Sequence, residues 1–122
     1  MGTDVISAVD CANRLLLDQI ADKWSVLIVA SLRDGPLGCD AIKRRIDGMT
    51  LRGVTRYLRQ LERNGIIDRR VVAISPISVE YELTALGYSL DQPFQALYVW
   101  TLEHLREVNS ARARYDGYVV AR

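Results

Sequence analysis

Apolar residues recur along this chain at two different spacings, and the changes between them divide it into elements. Asp10 can cap a first helix running to about Ile20, and Asp22 a second, through Lys23-Trp24-Ser25-Val26-Leu27-Ile28 to Leu32, which Asp34-Gly35-Pro36 stops. A short helix is predicted from about Asp40 to Ile46, with Ala41, Ile42 and Ile46 inward and Lys43, Arg44 and Arg45 outward, broken by Asp47-Gly48. Thr50 then caps a helix from Leu51 to about Asn64-Gly65, where Gly65 suits a left-handed C-terminal cap. The period shortens after that. Ile67 to Ile74, Ser75-Pro76, and the alternating Ser78-Val79-Glu80-Tyr81-Glu82-Leu83 read as a hairpin whose second strand is half-buried. Thr84 caps a final helical stretch that Pro93 can interrupt or restart, continuing through Phe94, Leu97, Leu105 and Val108. A helix of about 20 residues is near 30 Å long, so this stretch should project past the body and need an apolar partner surface. A second copy of the chain is the simplest supplier.

The chain has 122 residues, 49% of them hydrophobic and 25% charged, which suits one soluble domain with a real core and argues against disorder. Its longest apolar run, Val26 to Ala30, is far short of a membrane span, and no basic segment followed by an apolar stretch opens the chain. The expected location is the cytoplasm, away from membranes. Cys11 and Cys39 are too few for a disulfide scaffold or a structural zinc site, and a cytosolic setting would keep both reduced.

The net charge of +1 hides an uneven distribution. From Lys43 to Arg70 there are nine basic residues and three acidic ones, a local balance of +6 that leaves −5 elsewhere. Such a basic centre is the footprint of a module that lays one face on a polyanion. At about 100° per residue, Arg52, Arg56, Arg59 and Arg63 share one narrow stripe. Leu51, Val54, Leu58 and Leu61 lie on nearly the opposite side. Two short helices with a glycine-containing turn, the second bearing that stripe, make a helix-turn-helix, and the following hairpin makes it winged. The predicted fold class is therefore α+β, mostly helical with a two-stranded wing. Arg52, Thr55 and Arg56 are the base-reading candidates, because arginine bonds bidentately to guanine while threonine or an apolar side chain such as Leu51 meets a thymine methyl. Arg59, Arg63, Lys43, Arg44 and Thr50 are assigned to phosphates, with Thr50, Arg52, Thr55, Arg56 and Arg59 as the centre of the surface. By itself an arginine stripe is most often a solvated face; the turn, the hairpin and the local charge favour duplex DNA.

These residues resemble the HxlR-type winged-helix transcriptional regulators, relatives of the MarR type, over about Cys11 to His104. The resemblance rests on Lys23-Trp24 with Val26-Leu27-Ile28, on Asp34-Gly35-Pro36-Leu37, and on Leu58-Arg59-Gln60-Leu61-Glu62 with Gly65-Ile66-Ile67. Its strongest block is Pro76, Val79-Glu80-Tyr81 and Leu83-Thr84-x-Leu86-Gly87. It implies a homodimer formed through terminal helices, acting as repressor or activator on a pseudopalindromic operator, with repression favoured. The chain departs from the family pattern at Cys39, where an aromatic residue is usual, and at Ala41, where an acidic one is. Ser78 stands where relatives often have a basic residue, Ala12 where proline is frequent, and Ala21-Asp22 in place of a glycine pair. A neutral wing tip shifts the weight of phosphate contact to Arg69 and Arg70.

Cys11 matches the N-terminal cysteine that some family members use to sense quinones, aldehydes or oxidants. Independently, a thiol in the first turn of a helix with Arg14 three residues on is placed to favour thiolate, although free cysteine is more often a small buried hydrophobe. That structural reading is the stronger one for Cys39. His104 is the sole histidine and lacks a partner at ligand spacing. Trp24, Tyr57, Tyr81, Phe94, Tyr98 and Trp100 are read as core and interface packing, with a cleft for a small-molecule effector as the further use of some. Neither paired carboxylates nor a phosphate loop nor a nucleophile elbow is present, so no enzyme and no cofactor are expected. The reading is one winged-helix domain over 1–122, with N-terminal helices at 11–33, helix-turn-helix at 39–65, wing at 66–84 and dimerisation helix at 85–114. The alternative is a winged-helix module that binds protein or RNA.

Overall fold

The computed structural model describes residues 11–121, with side chains through 118. The elements run α1 (Cys11–Ile20), α2 (Lys23–Ser31), α3 (Cys39–Arg45), α4 (Leu51–Arg63), β1 (Ile67–Ile74), β2 (Ile77–Leu83) and α5 (Ala85–Ala121). The chain forms two units, one reaching Asp91 and the other beginning at Gln92.

The caps arise where side chains and glycines supply them. The Asp22 carboxylate accepts the Trp24 N–H at 2.8 Å and starts α2. Thr50 Oγ1 accepts the Gly53 N–H at 3.0 Å and starts α4. Each satisfies one of the donors that a helix start leaves open. Gly65, at φ +75°, takes the left-handed conformation that lets the chain leave α4 and turn into β1. The expected cap at Asp10 lies outside the described residues. Helix α3 starts from Gly38 without a side-chain cap.

The core of the first unit is built from one face of each helix. Ile28, Val29 and Leu32 come from α2 and its end, Ile42 and Ile46 from α3 and its end, and Val54, Leu58 and Leu61 from α4. Ile66, Ile67 and Leu83 close it at the root of the hairpin. Each such side chain contributes roughly 1.5–3 kcal/mol on burial. Buried polar groups are paired: Ser31 Oγ donates to the Ile28 carbonyl at 2.7 Å, and Arg33 grips Asp91 with Nε at 2.8 Å and Nη2 at 2.9 Å. Asp91 is only 3% exposed, so its charge is held by that two-pronged contact. Arg45 Nη1 donates to the Ser31 carbonyl at 3.1 Å and satisfies an open acceptor at the end of α2.

Strands β1 and β2 pair antiparallel from Ile67↔Leu83 to Ile74↔Ile77 around Ser75-Pro76, whose peptide bond is cis, with an irregularity between Val71 and Ala73. The second strand is half-buried from Val79 to Glu82, but the burial does not alternate along it. Ile67 and Leu83 alone are buried, and Ile74 and Ile77 at the tip are 83% and 74% exposed. At the base of the ribbon Leu37 joins it through reciprocal bonds with Tyr81 of 3.0 and 2.8 Å, a pairing that a single residue between Pro36 and Gly38 does not announce by periodicity.

Helix α5 passes through Pro93 without ending and continues beyond the predicted limit at residue 114 to Ala121. Its 37 residues correspond to about 55 Å. Proline at position 93 removes one N–H without a further breaker beside it, and the lone Gly117 costs only about 1 kcal/mol, too little to stop a long helix. The start of α5 is fixed by Thr84, whose Oγ1 accepts the Gly87 N–H at 3.0 Å and donates toward the Gly65 and Ile66 carbonyls. A Cβ at position 87 would run into the Ile66 carbonyl oxygen and press on Leu83. Gly87→Ala is therefore expected to destabilise the fold by about 1–3 kcal/mol. Its thermal midpoint should drop by several degrees against the parent; an unchanged midpoint would refute the close approach.

Candidate nucleic-acid interface

The turn between α3 and α4 and the caps around it set which side of α4 faces outward. Val54, Leu58 and Leu61 are buried, while Arg52, Arg56, Arg59 and Arg63 on the opposite side are exposed. Among the described residues none of these four arginines takes part in an ion pair. Four guanidinium groups on one helical ridge repel one another and attract a polyanion. Lys43 and Arg44, on α3, are exposed as well.

Several candidates acquire a more definite character from their neighbours. Thr50 is exposed and acts as the α4 cap, accepting there and keeping its own hydroxyl proton. Leu51 is 47% exposed at the first turn, outside the seam in which its helical angle would put it, because the core does not extend under the start of α4. Thr55 gives its hydroxyl proton to the Leu51 carbonyl at 2.9 Å, which leaves apolar contact as its main offer to a base. The Cys39 thiol lies 3.8 Å from that hydroxyl and is half-buried.

The two wing arginines are not equivalent. Arg69 stands opposite Tyr81, on the strand face that begins at the buried Ile67 and Leu83. Arg70 stands opposite Glu80 on the other face, with Asp68 and Glu82, and its Nε lies 3.3 Å from Glu82. Its charge is thus largely balanced within the ribbon, which the linear sum of basic residues could not reveal.

Tyr57 on α4 donates its hydroxyl proton to Asp22 Oδ2 at 2.7 Å, and Asn64, the C-cap residue of α4, donates from Nδ2 to Gln19 Oε1 at 3.0 Å. The Asp22 bond, then burial, raise the Tyr57 pKa above the ordinary phenol value and keep it a donor. The same kind of contact with Asp91 raises that of Arg33. Tyr57 is thus a polar partner as well as one of the packing aromatics, and neither it nor Asn64 carries a periodic signal of its polar contact in the sequence. The Arg56 guanidinium lies 5.8 Å from the Tyr57 ring centroid.

Cys11 is exposed at the start of α1. His104 stacks on Trp100 at 4.6 Å, with Nδ1 2.9 Å from the Trp100 carbonyl. Among the described residues no group of three or more His, Cys, Asp or Glu could hold a metal ion, and no helix is long and apolar enough to cross a membrane.

Comparison with known proteins agrees with this geometry. The HxlR-like helix-turn-helix family matches residues 19–109. An uncharacterised HTH-type transcriptional regulator of Methanothermobacter thermautotrophicus is 40% identical over 90 residues, 74% of this chain and 69% of the relative. The structure of the transcriptional regulator YtfH from Salmonella typhimurium superposes with a TM-score of 0.77 at 31% identity, covering 83% of this chain and 90% of that one. The redox regulator HypR in its reduced form gives 0.73 at 29% identity, covering 81% and 98%. The winged arrangement of α3, α4 and the hairpin is thus a shared architecture, and the relatives compared are named as regulators. The chain belongs to the HxlR-like helix-turn-helix family and is a DNA-binding transcriptional regulator of helix-turn-helix type.

Proposed function

We propose that two copies of this chain bind a pseudopalindromic operator in the cytoplasm and repress transcription, with α4 of each copy in the major groove. The observation that carries this reading is the exposed stripe of Arg52, Arg56, Arg59 and Arg63, free of ion pairs among the described residues and backed by a buried seam. Arg52, Arg56 and the methyl of Thr55 read bases, with Leu51 beside a thymine methyl. Lys43, Arg44, Thr50, Arg59, Arg63 and Arg69 hold phosphates, and Arg70 contributes less because Glu82 shares its charge.

Support for the homodimer comes from apolar surface that a lone chain leaves in water. Leu15, Leu16 and Leu17 on α1 are exposed, and so are Leu97, Trp100, Leu102 and Leu105 on α5. A twofold pair places its recognition helices one DNA turn apart, about 34 Å. Cys11 is the proposed regulatory thiol, responsive to electrophiles or oxidants; its exposure and the likeness to HypR, named a redox regulator, support this. A small ligand held beside the aromatic residues of α5 is the other input proposed.

Selection from a randomised duplex pool is expected to return a sequence with twofold symmetry, and sedimentation a dimer at micromolar concentration. Recovery of no preferred duplex, with capture of RNA or protein instead, would overturn the reading. On the selected duplex Arg56→Ala should lose about 1–3 kcal/mol of discrimination at one base pair. Arg63→Ala should weaken all sequences alike and reduce the salt slope by about one. Diamide should release the parent protein from that duplex, whereas Cys11→Ser should remain bound.

A further inference from the structure

Helix α4 has a third face, between its seam and its arginine stripe. Tyr57 and Asn64 are seven residues apart, two turns, and so lie within about 20° of one another around the axis. Both are half-buried, and both bond to the corner where α1 ends and α2 begins. Tyr57 reaches Asp22 at 2.7 Å and Asn64 reaches Gln19 at 3.0 Å. That corner is itself braced: the second Asp22 oxygen caps α2, and the Gln19 carbonyl accepts from Ser25 Oγ at 3.3 Å.

We propose that Tyr57 and Asn64 are positioning residues for DNA reading, forming with Asp22 and Gln19 a polar latch that sets the rotation of α4 about its own axis. The inference rests on the base-reading role of α4 stated above. Apolar packing on Val54, Leu58 and Leu61 is non-directional and resists a small rotation weakly. A hydrogen bond weakens steeply once its angle falls below about 120°. A turn of about 15° moves a group roughly 6 Å from the axis by about 1.5 Å, enough to spoil a bidentate arginine contact while leaving phosphates within electrostatic reach. Two bonds two turns apart oppose that rotation, one from within the helix and one from its C-cap. The first of them belongs to the immediate neighbour of Arg56, whose guanidinium lies against the same ring.

The test compares the duplex selected by the parent protein with a scrambled duplex of the same composition. Tyr57→Phe keeps the ring and removes only the donor. Asp22→Ser keeps a cap for α2 but is too short to reach Tyr57. Each is expected to lower the ratio of selected to scrambled affinity about fivefold, with scrambled affinity and salt slope essentially unchanged. Because both remove one bond, the double variant should be no worse than either single one. Gln19→Met, which takes the acceptor from Asn64, should act in the same direction and gives a second reading should either of the first variants fold poorly. An unaltered ratio, or equal weakening on both duplexes, would overturn the latch while leaving DNA reading intact. A parent protein that does not distinguish the two duplexes would overturn the DNA-reading role itself, and the latch with it.

Discussion

The burial of Val54, Leu58 and Leu61 is the constraint on which the rest of this molecule depends. Those three side chains settle against α2, α3 and the hairpin root, and by doing so they decide that the arginines of α4 face away from the protein. Had the basic residues been spaced differently, the same core would have scattered their charge around the helix. A single interaction, non-directional and driven by water, thus creates a directional electrostatic surface.

Electrostatics then sorts the basic residues into different duties. Arg33 and Arg45, though exposed, are engaged by the protein itself, on a buried carboxylate and on the open end of a helix, and Arg70 pairs with Glu82. Among the described residues the stripe on α4 has no ion-pair partner, and a ridge of like charges repels itself unless an anion accompanies it. The concentration of charge on one ridge fits a protein whose partner is a polyelectrolyte rather than a small acid.

Much of this architecture was legible in the chain. Asp22 and Thr50 stand where helices begin, Gly65 where one ends, and the seam of α4 follows from its spacing, because caps and amphipathic faces are local properties. What escaped was set by tertiary neighbours. The strand from Ile77 to Leu83 alternates in sequence, yet Val79 to Glu82 are all half-buried, so alternation did not translate into alternating burial. The Leu37 bridge, the Arg70–Glu82 pair and the bonds from Tyr57 and Asn64 join residues 12 to 45 positions apart in the chain, and no periodicity encodes such meetings. Pro93 reads as a break, yet helix continuity on both sides outweighs one missing donor.

The stitch between Leu37 and Tyr81 has a consequence for how the wing breathes. A ribbon of two strands is marginal in water, and here its root is clamped by Ile67, Leu83 and the extra pairing while its end is bare. Opening should therefore progress inward from Ser75-Pro76, giving a hairpin that is pliable at its apex and firm at its hinge. Such a graded arm can flex at its end without loosening the helices it springs from.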